Sequence, residues 1–309
     1  MSQRIIYILF FLFSLAACKS GQNNNADDGV FYIVTTTAMV GDAVKNVVGK
    51  KAEVVSLMGP GVDPHLYKAT QGDLNKITKA DMIIYNGLHL EGKMTEIFEK
   101  MSKTKPVYAI ADGVNKNRLK VVSKKGVKPV VYDPHIWFNV DLWTETLAGI
   151  AAQIGKVDPD NAVYYNSKAT HYKAVLDRLH GKAGFKLSTI PKDQRILITS
   201  HDAFGYFGDA YKFEVFGLQG MSTASEFGLQ DVKQLVDYIV EKKVKAVFVE
   251  SSVPKKPLEA VIEGCRDRGH QLKIGGTLFS DAMGAEGTPE GTYEGMFEHN
   301  INTIFNALR

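Results

Sequence analysis

Two hydrophobic patterns alternate along the chain. Short continuous apolar or β-branched runs at 30–35, 52–58, 81–86 and 106–110 read as strands. Between them, 39–48, 70–79 and 94–101 space their apolar residues three and four apart, which predicts helices. The stretch 116–131 carries few helix signals and reads as a loop or hairpin that ends in an extended run at 130–132. An amphipathic helix is predicted over 141–154. Asp158-Pro159 then offers an N-cap with proline at the first helical position. No further proline interrupts the chain until past Leu187, and Ala162, Tyr165, Ala169, Tyr172, Val175, Leu176 and Leu179 mark one helical face. A helix of about 28 residues reaches roughly 42 Å, longer than one small domain, so it reads as the link between two. Beyond it strands are predicted at 195–200, 213–218, 245–250 and 272–278, and helices at 203–211, 229–242, 256–268 and 292–308.

Continuous apolar strands separated by helices indicate parallel sheets covered on both faces. The expected fold is therefore α/β, with two lobes of parallel-type sheet covered by helices and joined by one long rigid helix. The expected boundaries are an N-terminal lobe at 30–157, the linking helix at 158–189 and a C-terminal lobe at 190–309. A length of 309 residues agrees with two domains. A single rigid connection predicts a smaller hinge motion than flexible strands would allow.

The N-terminus stands outside this scheme. Arg4 precedes an apolar run from Ile5 to Leu15, too short to span a bilayer but fitting the core of a secretory signal. Leu15-Ala16-Ala17-Cys18 follows and resembles the bacterial lipoprotein processing site. That resemblance implies removal of 1–17, a lipid on the Cys18 sulfur and acylation of its amine. Two or more acyl chains anchor a protein stably. The polar, small residues 18–29 then read as a flexible tether.

Composition narrows the functional classes. The hydrophobic share is 45%, the charged share 23% and the formal net charge +3, all ordinary for a globular protein. No dense basic stripe interleaved with aromatics is present, which argues against nucleic acid as a partner. The lysine-rich stretch at 116–128 reads as a solvated loop. Besides Cys18 the only cysteine is Cys265, so neither an internal disulfide in the mature chain nor a thiolate zinc cluster is available. Cys265 falls at an expected core position of the helix at 256–268.

The candidate chemistry is histidine and carboxylate. Asp63-Pro64-His65 and Asp133-Pro134-His135 repeat one tripeptide. Proline fixes its own φ and pushes the preceding residue into an extended conformation, so each unit is a stiff loop aiming an imidazole. Imidazole is the commonest side-chain metal ligand. His65, His135, His201 and Asp281 each follow a predicted strand, two in each half. Ligands of open α/β sheets bind outside the carboxyl ends of strands, so an interlobe cleft would collect all four. Three imidazoles and a carboxylate suit Zn2+ and admit Mn2+. His171, His180, His270 and His299 read as structural. His89 could line the cleft, Glu250 could orient a ligand or pair with a lysine, and Glu226 is similar. Asp63, Asp133 and Asp202 read as turn residues bonded to local backbone.

Five motifs carry a family resemblance: Gly61-Val62-Asp63-Pro64-His65-Leu66-Tyr67, Asn86-Gly87-Leu88-His89-Leu90-Glu91-Gly92, Asp133-Pro134-His135-Ile136-Trp137, Ser200-His201-Asp202-Ala203-Phe204-Gly205-Tyr206-Phe207 and Leu278-Phe279-Ser280-Asp281-Ala282-Met283-Gly284. In this order they resemble the zinc- and manganese-binding solute receptors of ABC importers. The resemblance implies two α/β lobes on one long helix, with His65, His135, His201 and Asp281 holding one ion as cargo. It also implies docking on membrane permease subunits, one lobe against each. A monomer is expected, exported and anchored to a bacterial membrane through Cys18, facing the periplasm or the cell exterior. Zinc receptors often carry a histidine-rich loop before the second histidine, whereas 115–128 is lysine-rich; many manganese receptors have glutamate where His201 stands. Zinc, manganese and iron therefore remain open as cargo. The expected role is capture rather than catalysis. Two alternatives are a surface adhesin with a structural metal and a zinc hydrolase, the latter requiring an open coordination position and a general base.

Overall fold

The computed structural model describes residues 30–123 and 128–309. The signal peptide, Cys18 and the tether predicted within 1–29 lie outside the described residues, as does part of the lysine-rich stretch, 124–127. The first half alternates β1 (Phe31–Thr35), α1 (Ala38–Val48), β2 (Ala52–Ser56), α2 (Gln71–Lys79), β3 (Met82–Tyr85), α3 (Thr95–Met101) and β4 (Val107–Ala109), and ends on α4 (Val140–Val157). The long α5 (Ala162–Ser188) follows. The second half runs β5 (Ile196–His201), α6 (Gly205–Tyr211), β6 (Glu214–Gln219), α7 (Leu229–Lys242), β7 (Ala246–Glu250), α8 (Lys256–Asp267), β8 (Lys273–Leu278) and α9 (Tyr293–Leu308).

Both sheets are fully parallel and share one order, β2-β1-β3-β4 in the first and β6-β5-β7-β8 in the second. The chain therefore reverses direction between β1 and β3, and again between β5 and β7. These are the points at which crossover helices leave for opposite faces and a crevice opens at the carboxyl ends.

The strands send alternate side chains to different cores. Ile33, Met82 and Ile84 join a large cluster shared with Leu197, Ala246 and Phe248 of the other sheet and with α4, α5 and α9. Val34 and Ile83 point the other way, onto α2 and α3. Ile196, Ile198 and Val247 do the same onto α7 and α8. Cys265 is buried there on α8, as expected. The apolar interior thus runs from one sheet through the central helices to the other.

The long helix is present, with the buried face read from the sequence: Tyr165, Ala169, Tyr172, Leu176 and Leu179, continued by Ala183 and Leu187. It is packed against α1, α4, α6 and α9 rather than standing free between lobes. Its start differs from expectation. Pro159–Asn161 forms a separate 3-10 turn and α5 begins at Ala162. The Asp158 carboxylate makes no capping bond; it accepts instead from Asn161 Nδ2 at 2.8 Å and from the Tyr165 hydroxyl at 2.5 Å. Both side-chain donors converge on its Oδ2.

The expected extended run at 130–132 is not a strand of either sheet. Tyr132 forms an isolated antiparallel bridge with Val121, and Val122 N donates to Val131 O at 2.9 Å. Pro129 and Pro134 flank the run, and proline has no N–H to extend a ladder.

Asn300 on α9 ties the helix layer to the loop after β8. Its Oδ1 accepts from Phe279 N at 2.9 Å and its Nδ2 donates to Phe279 O at 2.7 Å. Asn300→Ala would strand both backbone groups in a partly buried place. We expect a loss of about 1–3 kcal/mol, read by urea unfolding; unchanged stability would contradict this tie.

Candidate metal centre

The two Asp-Pro-His loops are built alike. The Oδ1 of Asp63 accepts the His65 backbone N–H at 2.9 Å, and that of Asp133 accepts the His135 N–H at 3.0 Å. Each carboxylate closes a short turn over the intervening proline, which holds the histidine out from the loop. Tyr67 secures the far side of the first loop by donating to Asp73 at 2.7 Å, at the N-terminus of α2. Asn86 secures the second by donating Nδ2 to Pro134 O at 3.0 Å. His201 is the last residue of β5, and Asp281 lies three residues past β8.

These four side chains converge. One donor atom from each of His65, His135, His201 and Asp281 lies within 4.8 Å of all the others. The Nε2 atoms of His65 and His135 are 3.3 Å apart. Asp281 Oδ2 lies 3.6 Å from His65 Nε2 and 3.1 Å from His201 Nε2, and Oδ1 lies 3.5 Å from His135 Nε2. All four residues are buried, His135 and His201 completely.

The back of each imidazole differs. His135 Nδ1 is hydrogen-bonded to Asp133 Oδ1 at 2.7 Å, which turns Nε2 toward the centre. His201 Nδ1 sits 2.5 Å from Glu250 Oε2, and Glu250 Oε1 accepts the His201 backbone N–H at 2.8 Å. Glu250 therefore orients His201 and, among the described residues, pairs with no lysine. Its ring contact, and that of His201 with Asp281, is too bent for an aligned hydrogen bond. Ion-pair attraction holds these groups. Both Asp281 oxygens consequently lie buried without a hydrogen bond. A buried carboxylate left in that condition needs a positive partner.

Electrostatics sort the cluster. Burial pushes the His65 imidazole down to about 4, despite the nearby Asp281. Burial acts the same way on His201, but Asp281 and Glu250 together outweigh it and hold its pKa well above the ordinary value. Burial would raise the Asp281 carboxyl, yet the imidazoles of His201, His135 and His65 keep it far below the usual range. An ionised carboxylate faced by one protonated and one neutral imidazole is a site in which a cation can take the place of a proton.

The remaining candidates lie elsewhere. His89 is exposed, with left-handed φ of 68°, and does not join the cluster. Glu226 is exposed. His180 Nδ1 pairs with the Tyr211 hydroxyl at 2.9 Å, His270 Nε2 with Val244 O at 2.7 Å and His299 Nε2 with Thr277 O at 3.0 Å, and His171 is exposed. Asp63 and Asp133 bond local backbone as expected, whereas Asp202 contributes its own N–H to Gln219 O at 3.1 Å.

Three contributors had no individual signal. Glu91, buried, accepts from Thr36 Oγ1 at 2.6 Å and from the backbone of Asn86 and Gly87 at 2.8 and 3.2 Å. It braces the loop whose Asn86 holds Pro134. Trp137 donates Nε1 to Ser280 O at 3.1 Å, joining the loop of His135 to that of Asp281. Tyr206 donates to Asp133 O at 3.1 Å.

Two parallel sheets covered by helices, with a buried histidine–carboxylate cluster drawn from the loops of both, define a solute-binding protein. The chain matches the family model described as ZnuA, zinc-uptake complex component A, periplasmic, over residues 33–307, and it belongs to that family. It is 47% identical to the manganese-binding lipoprotein MntA of Bacillus subtilis over 302 residues, covering 98% of this chain and 97% of that protein. It is 44% identical to the zinc-binding protein TroA of Treponema pallidum over 288 residues, covering 93% and 92%. The solved structure of the periplasmic zinc-binding protein TroA superposes with a TM-score of 0.86 over 91% of this chain and 99% of that one.

A cation that binds His201 Nε2 must displace its proton. With the His201 pKa raised, uptake at neutral pH should release close to one proton, and affinity should rise with pH through the neutral range. Calorimetry in two buffers of different ionisation enthalpy reads the proton count; no release at pH 7 would contradict the charged His201.

Proposed function

We propose that the protein is an extracytoplasmic receptor that captures one Zn2+ or Mn2+ ion and delivers it to the permease of an ABC importer. The observation that carries this reading is the cluster of four buried donors around an Asp281 carboxylate with no hydrogen bond of its own. In this reading His65, His135, His201 and Asp281 are the ligands. A tetrahedral zinc with bonds of about 2.0–2.1 Å needs donors spaced by about 3.3–3.4 Å. The His65–His135 Nε2 pair and the two pairs through Asp281 Oδ2 lie at 3.3, 3.6 and 3.1 Å, near that spacing, and all four donors lie within 4.8 Å of one another. Asp133 and Glu250 keep the rings of His135 and His201 aimed, as partners behind metal-bound histidines do.

The protein acts by binding, not catalysis. Four protein ligands complete a zinc shell, whereas a catalytic zinc keeps a position for water or substrate. The names of the relatives divide between the two metals, and both fit three imidazoles and one carboxylate. The intrinsic order of divalent affinities makes zinc the tighter ion in vitro. Several relatives are named as lipoproteins, which supports a lipid on Cys18 and attachment to the outer face of a bacterial membrane; the receptor is read as a monomer. The working division is a lobe at 30–157, the link at 158–189 and a lobe at 190–309, with the surfaces beside the cleft meeting one permease subunit each.

Titration of metal-free protein with zinc and manganese in competition tests the reading. One ion per chain is expected, with zinc displacing manganese. His65→Ala, His135→Ala, His201→Ala and Asp281→Ala should each weaken binding by more than about a hundredfold, beyond what partners behind the ligands contribute, while helicity persists. Unchanged affinity in Asp281→Ala would remove it from the set. Metal uptake in a deletion strain tests delivery; normal uptake without the protein would contradict the transport role.

A further inference from the structure

The two oxygens of Asp63 serve different parts of the molecule. Oδ1 accepts the His65 backbone N–H, and Oδ2 accepts the hydroxyl of Thr223 at 2.5 Å. Asp63 belongs to the loop after β2, whereas Thr223 belongs to the loop between β6 and α7, so this bond crosses from one sheet's loops to the other's. Thr223 is itself held in place. Gln219, the last residue of β6, donates Nε2 to Thr223 O at 2.5 Å and to Ser225 O at 2.6 Å. Ser225 N donates to Ser222 O at 2.9 Å and completes the turn. Gln219 is the register partner of His201 on β5. A continuous run of contacts therefore leads from His201 through Gln219, Thr223 and Asp63 to His65, outside the metal centre.

The second Asp-Pro-His loop is also tied across, by Tyr206 to Asp133 O. Asp133, however, also grips the ring of its own histidine, whereas Asp63 reaches only the His65 backbone. The position of His65 therefore depends more on what holds the other end of Asp63. Thr223 is itself buried, so its hydroxyl has little access to water as an alternative partner.

We propose that Thr223 is a positioning residue for His65, acting through Asp63 as a latch across the cleft, and that it governs how fast a bound ion leaves. Opening the cleft must break this bond, which takes from Asp63 Oδ2 its protein donor while Oδ1 keeps the His65 N–H. Hydrogen bonds to charged groups are stronger than neutral ones, so loss of the hydroxyl should speed release by about tenfold or more. Association, limited by encounter with the open cleft, should change little.

The release half of this proposal rests on the receptor reading; the latch itself does not. In metal-free protein, Thr223→Val should speed hydrogen exchange at amides of both 59–67 and 220–226, and Thr223→Ser should not. Unchanged exchange at 59–67 in Thr223→Val would overturn the latch. In zinc-loaded protein, stopped-flow transfer to a chelator should be about tenfold faster for Thr223→Val and restored to the wild-type rate by Thr223→Ser. Equal rates for wild type and Thr223→Val, or a serine variant as fast as the valine one, would overturn its control of release. Wild-type protein that takes up no zinc would instead sink the receptor reading, and the exchange comparison would still decide the latch.

Discussion

The Asp281 carboxylate, buried where loops from both sheets meet, is the constraint on which the site depends. It stays ionised because three imidazoles surround it, and those imidazoles are gathered from separate loops and a strand end. An unpaired charge in such a place costs several kcal/mol, so the surrounding histidines are required by the carboxylate as much as they are available to an ion. The shared apolar core fixes the distance between the two sheets, and the loops that carry these side chains need only small local braces to meet.

Those braces repeat. In the first sheet Glu91 spans the switch point, joining Thr36 beyond β1 to Asn86 beyond β3. In the second, Glu250 ends β7 and grips His201 at the end of β5. One buried carboxylate thus stands at the same topological place in each half. In one half it steadies a loop that in turn holds Pro134 beside His135; in the other it holds the candidate ligand directly. Parallel sheets of identical order account for the correspondence, because the crevice between the two central strands is the one place where a side chain reaches both loops.

Much of this was legible in the sequence. Continuous strand runs separated by amphipathic helices determine the parallel sheets. The proline-free stretch after Pro159 marks α5, and the two Asp-Pro-His units mark half of the site. His201 and Asp281 were legible because a strand pattern stops just before each. Less was legible where long-range contacts decide. Asp158 reads as a cap but is taken by Tyr165 and Asn161. The run at 130–132 has strand composition, yet two prolines and the lack of a neighbouring strand leave it as a bridge. Glu91 and Thr223 are a carboxylate and a hydroxyl in loop-like surroundings, and their roles depend on partners 55 and 160 residues away. His89 shows the reverse case: it follows a strand within a motif, but a left-handed turn carries it out to solvent.

The central claim is that one ion is held by four side chains drawn from both lobes. Anomalous diffraction from crystals grown with zinc tests it most directly. The account predicts a single strong peak bonded to His65, His135 and His201 through Nε2 and to Asp281, at about 2.0–2.1 Å. A peak bound by fewer than these four, or located away from Asp281, would contradict it.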